Sequence, residues 1–346
     1  MTHTGTFYTL RPKDAPPELE EVRTLLATNN LSLDEQVEVF VVCRQQGRIV
    51  ACAGLDHTTI KCVAVAADLR GEALSLQLGS EIVKLAAERG QFHLFLYSAP
   101  YNRAFFRGWG FYPLVEVPQL VVLMENSPVA LQRYCDGLRK LRQPGGKIGS
   151  IVMNANPFTL GHRYLVEQAA VACDWLHVFV VEENASMFSY DDRFALVAAG
   201  LGHIGNVTLH PGSDYIISRA TFPGYFLKET KVIDHSWAAI DLLLFRDYIA
   251  PALGITHRYV GTEPFDVVTN SYNEDMRHWL QLVEAAAAPI TVVELPRETA
   301  TGIPISATEV RRLIARRDFT TIKELVPATT LQFLEKAFPE AVQTVQ

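Results

Sequence analysis

The stretch Asn154-Ala155-Asn156-Pro157-Phe158-Thr159-Leu160-Gly161-His162 lies between an apolar run, Gly149 to Met153, and a segment with Leu165, Val166 and Ala169 at helical spacing. The arrangement predicts a strand, a tight loop and a helix beginning near Leu160. A helix start offers unsatisfied backbone N–H groups and a partial positive charge, and Gly161 lets a phosphate approach the backbone closely. His162 adds an imidazole that can donate to a phosphate oxygen as charge develops, and Thr159 adds a neutral hydroxyl. The plainer reading makes His162 a side chain on an early helical turn and Asn156-Pro157 an ordinary turn.

Outward from this stretch the chain alternates strand and helix. After it come His177 to Glu183 as strand, a helix from Asp191, a strand from Asn206 to Pro211, a helix from Trp237 to Leu253, and strands at Arg258 to Pro264 and Ile290 to Pro296. Apolar strands separated by helices imply a parallel sheet with right-handed crossovers, covered on both faces. Ligands in such Rossmann-like α/β folds sit beyond the carboxyl ends of the strands. A second motif, Ile305-Ser306-Ala307-Thr308-Glu309-Val310-Arg311, follows the last of these strands and opens another helix. Ser306, Thr308 and Arg311 suit the β- and γ-phosphates of a nucleotide. Ser306 with Glu309 is equally a capping box, which needs no ligand.

The preceding half has a different rhythm. Val37 to Val65 reads as a meander of short β-rich stretches with a turn at Gln45-Gln46-Gly47. Leu74, Leu78, Ile82 and Leu85 then mark an amphipathic helix after Arg70-Gly71. A strand from His93 to Tyr97, a short aromatic helix around Phe105 and Phe106, and a strand from Tyr112 to Met124 complete an α+β unit. Gln143-Pro144-Gly145-Gly146 combines a helix stop with flexible glycines. The boundary is placed there, giving domains 1–145 and 146–346.

Composition narrows the class. The chain has 346 residues, nearly half hydrophobic, with a formal net charge of -7 and no long Lys/Arg run. It therefore lacks the electrostatic footprint of a nucleic-acid binder, and a phosphate ligand must be held by local donors. The five cysteines, Cys43, Cys52, Cys62, Cys135 and Cys173, show no CxxC or Cys/His ligand spacing. They read as reduced packing residues of a cytoplasmic protein. The polar N-terminus is unlike a signal peptide, and no apolar run reaches the ~18–20 residues of a membrane span.

The two motifs resemble the HxGH and ISSTxxR signatures of the nucleotidyltransferase superfamily, with Thr159 in place of the first His and Ala307 in place of the second Ser. Two further segments, Ser213 to Lys228 and Gly261 to Met276, extend the likeness. With them the chain resembles the citrate lyase ligase family over nearly its whole length, behind an N-terminal half that resembles GNAT acetyltransferases.

The resemblance implies ATP-dependent activation of acetate, assisted by Mg²⁺. The acetyl group passes to the thiol of the CoA-derived prosthetic group on the citrate lyase acyl carrier subunit, releasing AMP and pyrophosphate. It further implies catalytic roles for His162, Thr159 and Arg311. Nucleotide contacts would come from Asn154, Asn156, Phe158, Gly161, Arg193, Lys228, Gly261, Glu263, Asp266, Tyr272, Ser306 and Thr308. Arg70, Gly71 and Asn102 would meet the CoA-like arm. Two alternatives stay open at this point: adenylyl transfer to a phosphorylated pantetheine-like or nucleotide substrate, and a catalytically inactive nucleotide-sensing or carrier-docking protein.

Overall fold

A computed structural model describes residues 5–182, 186–217, 230–262, 267–296, 299–300 and 303–339. Packing divides these into two units, one drawn from Met1–Arg133 and Phe222–Ile240, the other from Tyr134–Thr221 and Asp241–Gln346.

In the first unit, β1 (Thr6–Leu10), β2 (Val39–Gln45), β3 (Arg48–Asp56) and β4 (Thr59–Val65) form an antiparallel meander. The helix α1 (Pro16–Thr28) follows β1, and α2 (Glu72–Glu88), β5 (Phe95–Ser98), α3 (Arg103–Gly108), β6 (Tyr112–Val117) and β7 (Val121–Glu125) follow the meander. The sheet order is β1-β2-β3-β4-β5-β7-β6. Its one parallel pair, β4 with β5, is joined only at Thr59↔Phe95 and Ile60↔Leu96. The helix α2 turns Leu78, Ile82 and Ala86 into the core, four residues apart, as an amphipathic stripe requires. On its next face Gly79 leaves room for the Trp109 indole, which an added Cβ would meet at 2.5 Å. The single strand expected over Tyr112 to Met124 is instead a hairpin. Its chain reverses near Gln119, which adopts φ 65°, so β6 and β7 pair antiparallel.

A helix, α4 (Ala130–Arg139), leads into the second unit. There β8 (Ile148–Met153), α5 (Leu160–Ala172), β9 (Trp175–Val180), α6 (Tyr190–Leu201) and β10 (Val207–His210) alternate as the sequence implies. Next in the chain comes α7 (Thr230–Leu244), which the division splits at Ile240, and the second unit resumes with α8 (Ala250–Leu253), β11 (His257–Gly261), α9 (Val267–Met276), β12 (Thr291–Leu295), α10 (Ala307–Arg316), α11 (Phe319–Ile322) and α12 (Ala328–Ala337). The helix expected from Trp237 begins earlier, at Thr230, and passes through a π-helical turn, Phe245–Ile249, before α8. Arg246 holds that turn in place, donating to the carbonyls of Trp279, Val283, Ala287 and Ala288.

The second sheet is parallel throughout, ordered β10-β9-β8-β11-β12. Chain order thus reverses between β8 and β11, and in doubly wound folds the crevice at that reversal receives the ligand. The strand β8 is buried along almost its full length, as a central parallel strand must be. Its end at Met153 and the end of β11 at Gly261 deliver the following loops to the same edge. Among the described residues, no helix is long and apolar enough to cross a membrane.

Candidate functional site

The chain leaves β8, passes the cis Asn156-Pro157 bond and enters α5 through Thr159, an extended N-cap with φ -116° and ψ 168°. The cap is reciprocal. Thr159 Oγ1 accepts from the His162 backbone N–H at 3.3 Å, and His162 Nδ1 accepts from the Thr159 backbone N–H at 3.1 Å. The hydroxyl of Thr159 lies 2.9 Å from the same Nδ1. A backbone N–H can only donate, so Nδ1 must offer its lone pair, and the neutral ring carries its proton on Nε2. The ring is stacked on Phe158 at 5.8 Å between centroids and 16° between planes. Phe158 is fully buried and seats in a notch at Gly200, where an added Cβ would stand 2.3 Å from the ring.

The second motif arrives at the same place. A Cβ built on Gly161 would meet the Ile305 carbonyl oxygen at 3.1 Å, so the residue before the Ser306 cap lies against the first turn of α5. Arg311, on α10, donates through Nη1 to the Asn156 carbonyl at 2.6 Å and through Nη2 to Thr308 Oγ1 at 3.0 Å. The Leu160 N–H is taken by the Leu325 carbonyl at 2.9 Å. Ser306 Oγ caps α10 by accepting from the Glu309 N–H at 3.1 Å. The return half of that capping box is replaced, because the Glu309 carboxylate pairs with Arg312, which holds it below the usual carboxylate range.

Three expected contacts are placed differently by the structure. Arg193 is not an exposed cation at the nucleotide edge. It is wholly buried on α6, and its Nη1 donates to Asn154 O at 2.7 Å, Asn154 Oδ1 at 2.8 Å and Val181 O at 2.9 Å. Its Nε donates to Phe188 O at 3.3 Å, so the guanidinium clamps the loop after β8 to the end of β9. Phe158 belongs to the apolar core beneath the imidazole. Tyr272 turns inward from α9, and its hydroxyl donates to Asp241 Oδ2 at 2.6 Å.

Asn154 and Asn156 lie in the loop after β8. Asn156 Oδ1 accepts from the Phe188 N–H at 3.3 Å. Gly261 ends β11, its carbonyl accepting from Asn273 Nδ2 at 3.3 Å. Lys228, Glu263 and Asp266 lie outside the described residues. In the first unit, Gly71 caps α2 with nothing near the position of a Cβ, and exposed Arg70 donates to Asn29 Oδ1 at 2.7 Å. Asn102, beyond β5, donates to Ser98 Oγ at 3.2 Å.

The motif side chains offer hydroxyls, an imidazole and a guanidinium, and their carboxylate, Glu309, is engaged by Arg312. This donor set does not fit a protein-held Mg²⁺, which prefers carboxylate oxygens. Sequence reasoning passed over Arg258 and Asp241, both buried in this unit. A charged residue within the strand His257–Gly261 was the available signal for the first.

The family described as "Citrate lyase ligase C-terminal domain" matches residues 148–334. A citrate (pro-3S)-lyase ligase of Escherichia coli strain K12 is 51% identical over 326 residues, covering 94% of this chain and 93% of the relative. Another from Klebsiella pneumoniae is 51% identical over 328 residues, covering 95% and 96%. Among solved structures, Thermotoga maritima TmcAL bound with α-thio ATP aligns with 55% of each chain at 12% identity and a TM-score of 0.33.

Proposed function

The chain belongs to the citrate lyase ligase family, and from that membership we infer its chemistry. It is an AMP-forming acid–thiol ligase that activates citrate lyase with acetate and ATP. The observation that carries a nucleotide reading at this particular site is the meeting of the two helix starts, with Gly161 against Ile305 and Arg311 bonded to Asn156.

In this reading an acetate oxygen attacks the α-phosphorus of ATP in line, the bond to the bridging oxygen of the β-phosphate breaks, and pyrophosphate leaves with that electron pair. The thiolate of the CoA-derived arm on the acyl carrier subunit then attacks the carbonyl carbon of the acetyl-adenylate, and AMP departs. No side-chain nucleophile is needed, so catalysis is positioning and charge stabilisation. His162 offers Nε2–H to the oxygens of the α-phosphate as their charge grows. Thr159 fixes that tautomer from below. Ser306, Thr308 and Arg311 hold the departing pyrophosphate, and Asn154, Asn156 and Gly261 line the nucleotide edge. Magnesium would arrive on the triphosphate, and no step is assigned to it.

We keep the domain boundary at residue 145 as a proposal, while packing divides the chain earlier, after Arg133, and assigns Phe222–Ile240 to the first unit. Arg70, Gly71 and Asn102 are assigned to the CoA-like arm of the carrier, at the start of α2 and the end of β5. A cytoplasmic location accords with five free cysteines, of which Cys62 is pushed up to about 12 by burial and is therefore inert.

The test is acid-dependent exchange of labelled pyrophosphate into ATP, followed by product analysis with the acyl carrier subunit. Exchange that requires acetate, and AMP formed together with an acyl-thioester, is the expected result. A stable adenylylated phosphate as product would overturn the reading.

A further inference from the structure

We propose that Arg258, buried beside Phe245 and near the Tyr272–Asp241 pair, binds the carboxylate of the small acid substrate. The proposal rests on the ligase reading above and concerns the substrate that the two helix starts do not account for.

Arg258 stands on β11, paired in register with Ser150 of β8, so it belongs to the two strands that flank the reversal of chain order. It is 3% exposed, and its Nε and Nη1 have no hydrogen-bond partner among the described residues. A buried guanidinium with open donors is rare enough to require a bound ion, a water or a ligand. Its nearest buried acid does not supply the partner. The two oxygens of Asp241 are taken by the Ile217 N–H at 3.1 Å and the Tyr272 hydroxyl at 2.6 Å. No ion pair joins Asp241 to Arg258 among the described residues.

The surroundings specify the chemistry of the missing group. The guanidinium lies over the Phe245 ring, 4.7 Å from its centroid, so one face is covered and the edges remain for an acceptor. Phe245 opens the π-helical turn, a local irregularity often retained at functional sites. A triphosphate is served by helix starts elsewhere, whereas a buried guanidinium with open donors beside an aromatic ring suits a planar two-oxygen anion. Asn273, next to Tyr272, holds the Gly261 carbonyl and so ties α9 to the strand end where the nucleotide is assigned.

The experiment measures acetate and ATP dependence of pyrophosphate exchange in the full chain, for wild type, Arg258→Gln and Arg258→Lys. Losing a charge-assisted contact should raise the KM for acetate roughly 10–100-fold in Arg258→Gln while leaving the KM for ATP unchanged. Arg258→Lys should show a smaller rise in the acetate KM alone, and it decides the matter if the Gln variant does not fold. An unchanged acetate KM in the folded variants, as a structural water on Arg258 would give, overturns the proposal. So does a parallel rise in both KM values. Wild-type exchange that ignores acetate would instead overturn the ligase reading, which the variants do not test.

Discussion

Arg311 and Asn156 are 155 residues apart in the chain, yet the guanidinium of one donates to the carbonyl oxygen of the other at 2.6 Å. This bond joins the loop after β8 to the face of α10 and holds the two motifs as one structure. Replacing Arg311 with Lys keeps a positive charge but removes the fork that reaches Asn156 and Thr308 together. The KM for ATP should rise about 10-fold, with a fall of a few degrees in Tm, measured by exchange kinetics and thermal unfolding. An ATP KM equal to wild type would separate Arg311 from the nucleotide.

His162→Ala should lower turnover by roughly 10²–10³ at saturating ATP, since the bond it offers matures only as charge develops. The substitution also removes the return half of the α5 cap, a cost of about 1 kcal/mol that thermal unfolding will read separately. Unchanged turnover would take the imidazole out of the mechanism.

Thr159→Val tests the share of the hydroxyl in this cap. Without Oγ1 the His162 N–H loses its acceptor, at a cost of about 1 kcal/mol in helix capping, and Nδ1 loses one of its two neighbours on Thr159. Turnover should fall, while Thr159→Ser, which restores the hydroxyl, should recover most of it. Turnover in Thr159→Val equal to wild type would count against the arrangement.

Gly161→Ala places a methyl group 3.1 Å from the Ile305 carbonyl, a backbone atom with little freedom to retreat. The two helix starts must separate by a few tenths of an ångström. A raised KM for ATP with a lowered Tm is expected, and exchange kinetics unaffected by the methyl would show that the close approach is not needed.

A pH dependence of stability follows from His177 and His210, which face each other across β9 and β10 with ring nitrogens 2.8 Å apart. Burial pushes His177 down to about 4, and burial with the neighbouring imidazole pushes His210 down to about 3. In the unfolded chain both titrate near ~6.5, so the unfolded state binds more protons across that window and stability rises with pH through it. Their contribution is complete above pH ~6.5 and is lost as pH falls toward the folded values. Tm should be flat above neutrality and decline from pH 6.5 to 4. His210→Phe, which keeps the ring stacked on Phe179, should flatten that decline. An undiminished decline in the variant would place its origin elsewhere.

The layout of the second unit was legible because periodicity reports directly on parallel sheets: β8 and β9 are mainly apolar runs, and α5 and α6 show their cores at three- and four-residue spacing. The helix start near Leu160 and the Ser306 cap were legible, because local backbone chemistry selects residues at helix beginnings; Thr159 was read only as a hydroxyl and turns out to be the cap of α5. The roles of Arg193, Phe158 and Tyr272 were not. Each is decided by partners distant in sequence, such as Val181 for Arg193, Gly200 for Phe158 and Asp241 for Tyr272. The hairpin of β6 and β7 escaped notice because its turn hangs on one residue, Gln119, that carries no Gly or Asn-Gly signal. Charged side chains in apolar surroundings, Arg258 and Asp241, give no period to detect.

The seat of Phe158 at Gly200 reaches further than packing. The imidazole rests on that ring as a lens rests in its mount, and the depth of the mount is set by the hydrogen atom of a glycine on another helix. A side chain at position 200 would tilt His162 without touching substrate, and the loss would register as misalignment of an intact group. The aim of this imidazole is thus governed by a position that no inspection of nucleotide contacts would single out.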